Sequence, residues 1–113
     1  MHEYSLVQAL LEQVDRQARV HRATAVHRLH VSVGELAGVE VQLLETAYDT
    51  FRVRTVCAGA ALEVHPVAAR WACPGCGSEV RAGQALRCPE CGVAARLQAG
   101  DEIVLDRIEM EVP

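Results

Sequence analysis

The sequence contains no lysine, so all of its basic charge comes from eleven arginines, which stand against fifteen acidic residues. The formal net charge is −4, and we attribute the missing lysine to a coding bias of the source. An acidic chain argues against nucleic-acid binding, because proteins that bind nucleic acids usually present a basic face. No apolar run approaches the roughly 20 residues that a membrane-spanning helix needs, so we expect no membrane association.

The first residues also lack the marks of a secretory signal, since no basic segment and no small-residue cleavage site follows Met1. We therefore expect a cytoplasmic protein, and in that compartment paired cysteines are more often metal ligands than disulfides. The 113 residues suffice for one compact unit with room for a small satellite.

Four of the five cysteines form two CxxC pairs, each followed by glycine, with eleven residues between the pairs. Two thiolates separated by two residues can hold one metal ion from a single tight turn, and two such turns complete a tetrahedron. The predicted ligands are Cys73, Cys76, Cys88 and Cys91. Because protein sulfur fills all four positions, the site is expected to be structural rather than catalytic, and sulfur ligands select zinc or iron.

Two alternatives compete with structural zinc at this site. The cysteines could be reduced and unliganded, although their spacing argues against this. The protein could instead be an iron electron-transfer protein, because rubredoxin-type turns also end in Cys-Gly, but that interpretation leaves the first 70 residues unexplained. Cys57 stands outside the quartet, and we interpret it as a half-buried small residue.

The apolar periodicity predicts two helices, at residues 5–20 and about 40–52, and three strands, at residues 28–34, 60–67 and 102–112. The alternation of the last strand changes parity, which a β-bulge near Asp106 would explain, as would burial of both faces of the strand. These elements predict an α+β fold in which a small three-stranded antiparallel sheet packs with two helices. We expect residues 1–70 with 100–113 to form this domain and residues 71–99 to form an inserted zinc-ribbon-like domain.

The amino terminus carries a second candidate metal site. The α-amine of Met1, the backbone amide nitrogen of His2 and its imidazole can form two fused chelate rings, and Glu3 can add a backbone nitrogen or a carboxylate. Such a nitrogen-rich, square-planar site suits nickel(II) or copper(II). The alternative interpretation is a frayed terminus without metal.

Three segments together resemble the HypA/HybF family of nickel metallochaperones for hydrogenase maturation. They are MHEYSL at residues 1–6, VGELAGVE at residues 33–40, and the paired CxxC unit that precedes the closing strand. The helix with Tyr48 and Phe51 also lies where that family has an aromatic-containing helix. The resemblance covers the whole chain.

The resemblance implies a nickel carrier rather than an enzyme, with nickel(II) as cargo at His2, Met1 and Glu3 and structural zinc(II) at the four cysteines. It also implies Glu40 as an additional ligand or a neighbour of the ligands, although a carboxylate favoured at a helix N-terminus is the simpler role. Glu35 has the same two interpretations. The implied partners are a HypB-type GTPase, a hydrogenase large-subunit precursor and urease maturation proteins, and the chain itself could be a monomer or a homodimer.

The other histidines are interpreted as surface or strand residues rather than ligands: His21, His27, His30 and His65. The main alternative function is a zinc-ribbon interaction module or nucleic-acid-binding module without a nickel function. Salt-dependent binding to DNA or RNA would distinguish it, because phosphate contacts require such a dependence.

Overall fold

The computed structural model describes residues 2–81, 83 and 85–113, and it contains two helices and two small sheets. Helix α1 spans His2–Val20 and helix α2 spans Val41–Phe51, close to the predicted positions. Six strands are β1 (Ala25–Gly34), β2 (Ala61–Val67), β3 (Arg70–Ala72), β4 (Glu79–Val80), β5 (Arg96–Ala99) and β6 (Ile103–Glu111). This arrangement confirms the predicted α+β class. Neither described helix is long and apolar enough to cross a membrane.

The larger sheet has the strand order β2–β1–β6, and it is mixed rather than antiparallel. Strand β1 pairs with β6 antiparallel, as predicted, but it pairs with β2 in parallel. The prediction of an all-antiparallel sheet is therefore wrong for this pair. The physical reason is that α2 carries the chain back across the sheet, so β2 begins at the same end as β1.

The predicted bulge in the last strand is confirmed at Asp106. His30 pairs with Arg107, and the next residue, Val31, pairs with Leu105, which leaves Asp106 without a partner in the ladder. An extra residue on one strand reverses which side chains face the core. The bulge therefore accounts for the change of parity along the sequence.

Both helices pack on one face of the larger sheet. The buried positions of β1, Leu29, Val31 and Val33, alternate along the strand and face this core. The helices contribute Val7, Leu11, Val14, Ala18, Leu44, Ala47 and Tyr48. The Tyr48 hydroxyl donates to the carbonyl of Ala60 at 2.8 Å, which fastens α2 to the start of β2.

The smaller sheet, in the order β4–β3–β5, carries the cysteine unit. Its buried residues are Cys73, Val80 and Cys88, with Trp71 packed against them. This cluster is separate from the main core and contains little apolar surface. A metal ion at the cysteines would therefore supply much of the free energy that holds this unit together.

The chain enters and leaves the cysteine unit beside Gly34, at the end of β1. A Cβ on Gly34 would lie 2.3 Å from the carbonyl of Gly100, and a Cβ on Gly100 would lie 2.6 Å from the Cα of Ala69. The N–H of Leu36 donates to the Gly100 carbonyl at 2.6 Å, and the N–H of Ala69 donates to the Glu35 carboxylate at 2.8 Å. The Gly-Glu-Leu segment thus contacts both backbone connections to the cysteine unit, one at Ala69 and the other at Gly100.

Candidate metal centres

The four predicted cysteine ligands come together, since their sulfur atoms all lie within 4.8 Å of one another. Cys73 and Cys88 are buried, whereas Cys76 and Cys91 are exposed. A tetrahedral ion with zinc–sulfur bonds of about 2.3 Å places its sulfurs about 3.8 Å apart. The Sγ atoms of Cys76 and Cys88 are 3.7 Å apart, so the spacing fits such an ion.

Two similar turns hold the sulfurs. The N–H of Gly77 donates to the Cys73 carbonyl, and the N–H of Gly92 donates to the Cys88 carbonyl, both at 2.9 Å. These glycines have φ values of 77° and 71°, a left-handed conformation that glycine adopts without steric cost. The N–H groups of Cys76 and Cys91 donate to the sulfur of the first cysteine in each pair at 3.4 Å.

The electrostatics of this centre favour a bound cation. Hydrogen bonds from the side chain and backbone of Ser78 lower the pKa of Cys76 to about 6, so its thiolate forms readily. The neighbouring sulfurs, Cys76 first and Cys73 next, raise the pKa of Cys91 to about 12. A divalent ion at the centre would stabilise all four thiolates together, because its charge offsets theirs.

At the other candidate site, His2 is exposed in the first turn of α1, and Met1 lies outside the described residues. The first N–H groups of a helix have no intrahelical partner, so the backbone nitrogens of His2 and Glu3 are not needed to hold α1. Glu3 is only 9% exposed, and its carboxylate accepts a hydrogen bond from the N–H of Glu40 at 3.2 Å. Its own N–H and that of Glu40 lower the pKa of Glu3.

Glu40 is the N-cap of α2, where its carboxylate accepts from the N–H of Gln42 at 3.3 Å. This is the simpler role considered above for Glu40. Glu35 instead binds the backbone of Ala69 at the junction with the cysteine unit. Sequence reasoning had no signal for that contact, because it joins residues 34 positions apart.

The remaining cysteine and histidines divide into three groups. Cys57 is fully buried, and desolvation raises the pKa of its thiol. His21 and His27 are exposed, and His27 pairs with Glu111 at 3.2 Å. His30 and His65, which we interpreted as surface or strand residues, lie together with their rings stacked and the ring centroids 5.4 Å apart.

The α+β unit and the four-thiolate centre define a small metal-binding protein. The model of the family described as "Hydrogenase/urease nickel incorporation, metallochaperone, hypA" matches residues 1–110. The chain belongs to this HypA family, as the sequence resemblance indicated.

Relatives and solved structures agree over nearly the full length. Hydrogenase maturation factor HypA of Shewanella baltica (strain OS185) is 36% identical, covering 98% of this chain and 97% of the relative. The Aquifex aeolicus (strain VF5) factor of the same name is 37% identical, covering 99% of both. The solution structure of the Ni metallochaperone HypA from Helicobacter pylori has a TM-score of 0.76 at 26% identity, covering 98% of both chains. A second solution structure of HypA has a TM-score of 0.80 at 28% identity, covering 97% of this chain and 96% of that one.

Proposed function

We propose that this chain binds nickel(II) at its amino terminus and delivers it to the precursor of a nickel–iron hydrogenase in the cytoplasm. The ligands are the Met1 amine, the His2 amide and imidazole, and a backbone nitrogen of Glu3. The observation that carries the proposal is the exposure of His2 at the start of α1, in a turn whose N–H groups are free of helical bonds.

The two metal sites have opposite exchange properties in this proposal. The quartet from Cys73 to Cys91 closes around zinc, which folds residues 71–99 and has no open position. The amino-terminal site is open to solvent, so a ligand from a partner protein can approach the nickel ion and displace the first ligands. A carrier needs such an exchangeable site, whereas a closed thiolate cage would retain its ion.

The first turn of α1 is also well placed for handing over the metal. The Glu3 carboxylate ties it to the N-terminus of α2, and α2 begins beyond the end of β1, where the cysteine unit is attached. The carrier site and the zinc unit, residues 71–99, therefore share one end of the sheet. We propose that residues 1–70 with 100–113 act as the nickel-binding domain.

An exposed aromatic pair adjoins the proposed nickel site. Tyr4 and Phe51 pack edge to face with ring centroids 5.2 Å apart, and each is 37% exposed. We propose that a HypB-type GTPase contacts this pair. Phe51→Ser should then weaken binding of the GTPase without changing nickel binding, whereas Val20→Ser, at the exposed far end of α1, should change neither. Equal binding of both variants to the GTPase would contradict this contact.

The surface charges argue against the nucleic-acid alternative. Within the described part of the chain, at least five arginines pair with carboxylates, namely Arg19, Arg28, Arg52, Arg70 and Arg107. Phosphate binding would require these side chains to form a free basic face. We propose urease maturation proteins as further partners, and a monomer or a homodimer as the form of the carrier.

Calorimetric titration of nickel into zinc-loaded protein with a native amino terminus tests the proposal. Three variants are compared with it: one extra glycine before Met1, His2→Ala, and His21→Ala as the control. His21 is a single exposed histidine that follows the other end of α1. We expect one tight nickel ion in the native and His21→Ala proteins and none in the other two. Equal binding by all four proteins would refute the amino-terminal site.

A further inference from the structure

Three side chains of types that commonly bind metal ions meet on the face of the larger sheet that is turned away from the helices. His30 lies on β1, and Glu63 and His65 lie on β2, where the parallel register pairs His30 with Glu63. The Nδ1 atom of His30 is 3.1 Å from Nε2 of His65 and 3.3 Å from Oε2 of Glu63. All three candidate ligand atoms lie within 4.8 Å of one another.

A neighbouring carboxylate fixes the orientation of the His30 ring. Nε2 of His30 is 2.5 Å from Oε2 of Glu109, which also accepts from Arg107 at 3.0 Å. An ionised carboxylate only accepts hydrogen bonds, so the His30 tautomer with its proton on Nε2 donates to Glu109, while Arg107 lies 3.1 Å from the same nitrogen. In that tautomer, Nδ1 is unprotonated and faces His65 and Glu63. Metal-binding histidines are commonly held in this way by a carboxylate on the other ring nitrogen.

We propose that His30, Glu63 and His65 form a further metal site for a borderline divalent cation such as zinc, separate from the cysteine quartet and the amino terminus. A tetrahedral ion with bonds of about 2.0–2.1 Å has its nitrogen and oxygen ligands about 3.3–3.4 Å apart. The observed separations of 3.1 and 3.3 Å need only a small adjustment to meet this spacing. His65 would adopt the tautomer protonated at Nδ1 and present its unprotonated Nε2 to the ion.

The surroundings predict an exchangeable ion rather than a permanent one. His65 is exposed, so the fourth position opens to solvent. Arg28 donates to Glu63 at 3.2 Å, and Arg107 lies on the other side of His30. These two cations offset part of the negative charge of Glu63 and Glu109. We therefore expect weaker binding here than at the four thiolates.

The test is a zinc titration of protein that already holds one zinc ion per chain, in a His2→Ala background. This background removes the amino-terminal chelate, so the result does not depend on the proposed carrier function. We expect a second equivalent of zinc to bind, and His65→Ala or Glu63→Gln to weaken it by about tenfold or more. The control is His27→Ala, which removes another exposed histidine with a single carboxylate partner.

Nuclear magnetic resonance of the histidine ring nitrogens gives an independent readout. Before zinc is added, His30 should be the tautomer protonated at Nε2, and zinc should shift its Nδ1 resonance together with Nε2 of His65. Far-ultraviolet circular dichroism should be the same for all variants, because His65 and Glu63 lie on the solvent face. The proposal is overturned if no second zinc binds, or if His65→Ala and His27→Ala bind it equally, which would mean adventitious surface binding.

Discussion

The Glu3 carboxylate accepts a hydrogen bond from the backbone N–H of Glu40 at 3.2 Å, which joins the first turn of α1 to the start of α2. This contact commits the Glu3 side chain to holding two helices together. In the proposed nickel site, we therefore expect Glu3 to contribute a backbone nitrogen rather than its carboxylate.

We expect Glu40 to act as a helix cap rather than as a nickel ligand. Glu40→Ala removes the acceptor for the N–H of Gln42 and should lower the free energy of unfolding by about 1 kcal/mol. Glu40→Asn is the matched variant, because asparagine caps helices well but carries no charge. Both variants should keep the nickel affinity of the native protein in calorimetric titrations. A large loss of affinity in both, with stability unchanged in Glu40→Asn, would instead make Glu40 a ligand.

The close approach at the junction predicts a severe effect for Gly34→Ala. The added Cβ would lie 2.3 Å from the backbone of Gly100, which cannot move away as a flexible side chain can. We expect the free energy of unfolding in denaturant to fall by about 1–3 kcal/mol. Gly59→Ala is the control, because a Cβ there meets nothing within 4 Å. Equal stability of the two variants would show that the connecting backbone yields easily.

The elements that the sequence predicted are those with local signals. The spacing from Cys73 to Cys91 determines the thiolate centre, and the change of parity near Asp106 locates the bulge. The parallel pairing of β1 with β2 has no local signal, because it depends on how α2 packs across the sheet. For the same reason, the proximity of His30 and His65 could not be predicted from the sequence. The two side chains become neighbours only in this parallel register.

The role of the Gly-Glu-Leu segment was also beyond local reasoning. Its hydrogen bonds reach Ala69 and Gly100, which stand just before and just after the cysteine unit in the sequence, far from Glu35 and Leu36. A carboxylate at position 35 therefore looks like a candidate ligand in the sequence, and only the folded backbone reveals its hydrogen bond to Ala69. By contrast, the cap at Glu40 was predictable, because capping acts over two or three residues.

Removing the metal from the cysteines should unfold the cysteine unit alone. Trp71 is the single tryptophan, and it packs against Cys73, Val80 and Cys88. A chelator should therefore shift the Trp71 fluorescence to longer wavelength, while the helical circular dichroism stays because α1 and α2 belong to the other core. Adding zinc back should reverse the shift. Loss of the helical signal at the same chelator concentration would show that the two cores fold as one.

Titration of the thiols should distinguish the five cysteines by the condition in which each reacts: metal-loaded, chelated or denatured protein. In the metal-loaded protein we expect no rapidly reacting thiol, because the quartet is coordinated and Cys57 is fully buried with a raised pKa. A chelator should expose four rapidly reacting thiols, and denaturant should add the fifth. The variant Cys57→Ala should lose only that last thiol. If a chelator alone released all five thiols, the main core would depend on the metal and Cys57 would report its opening.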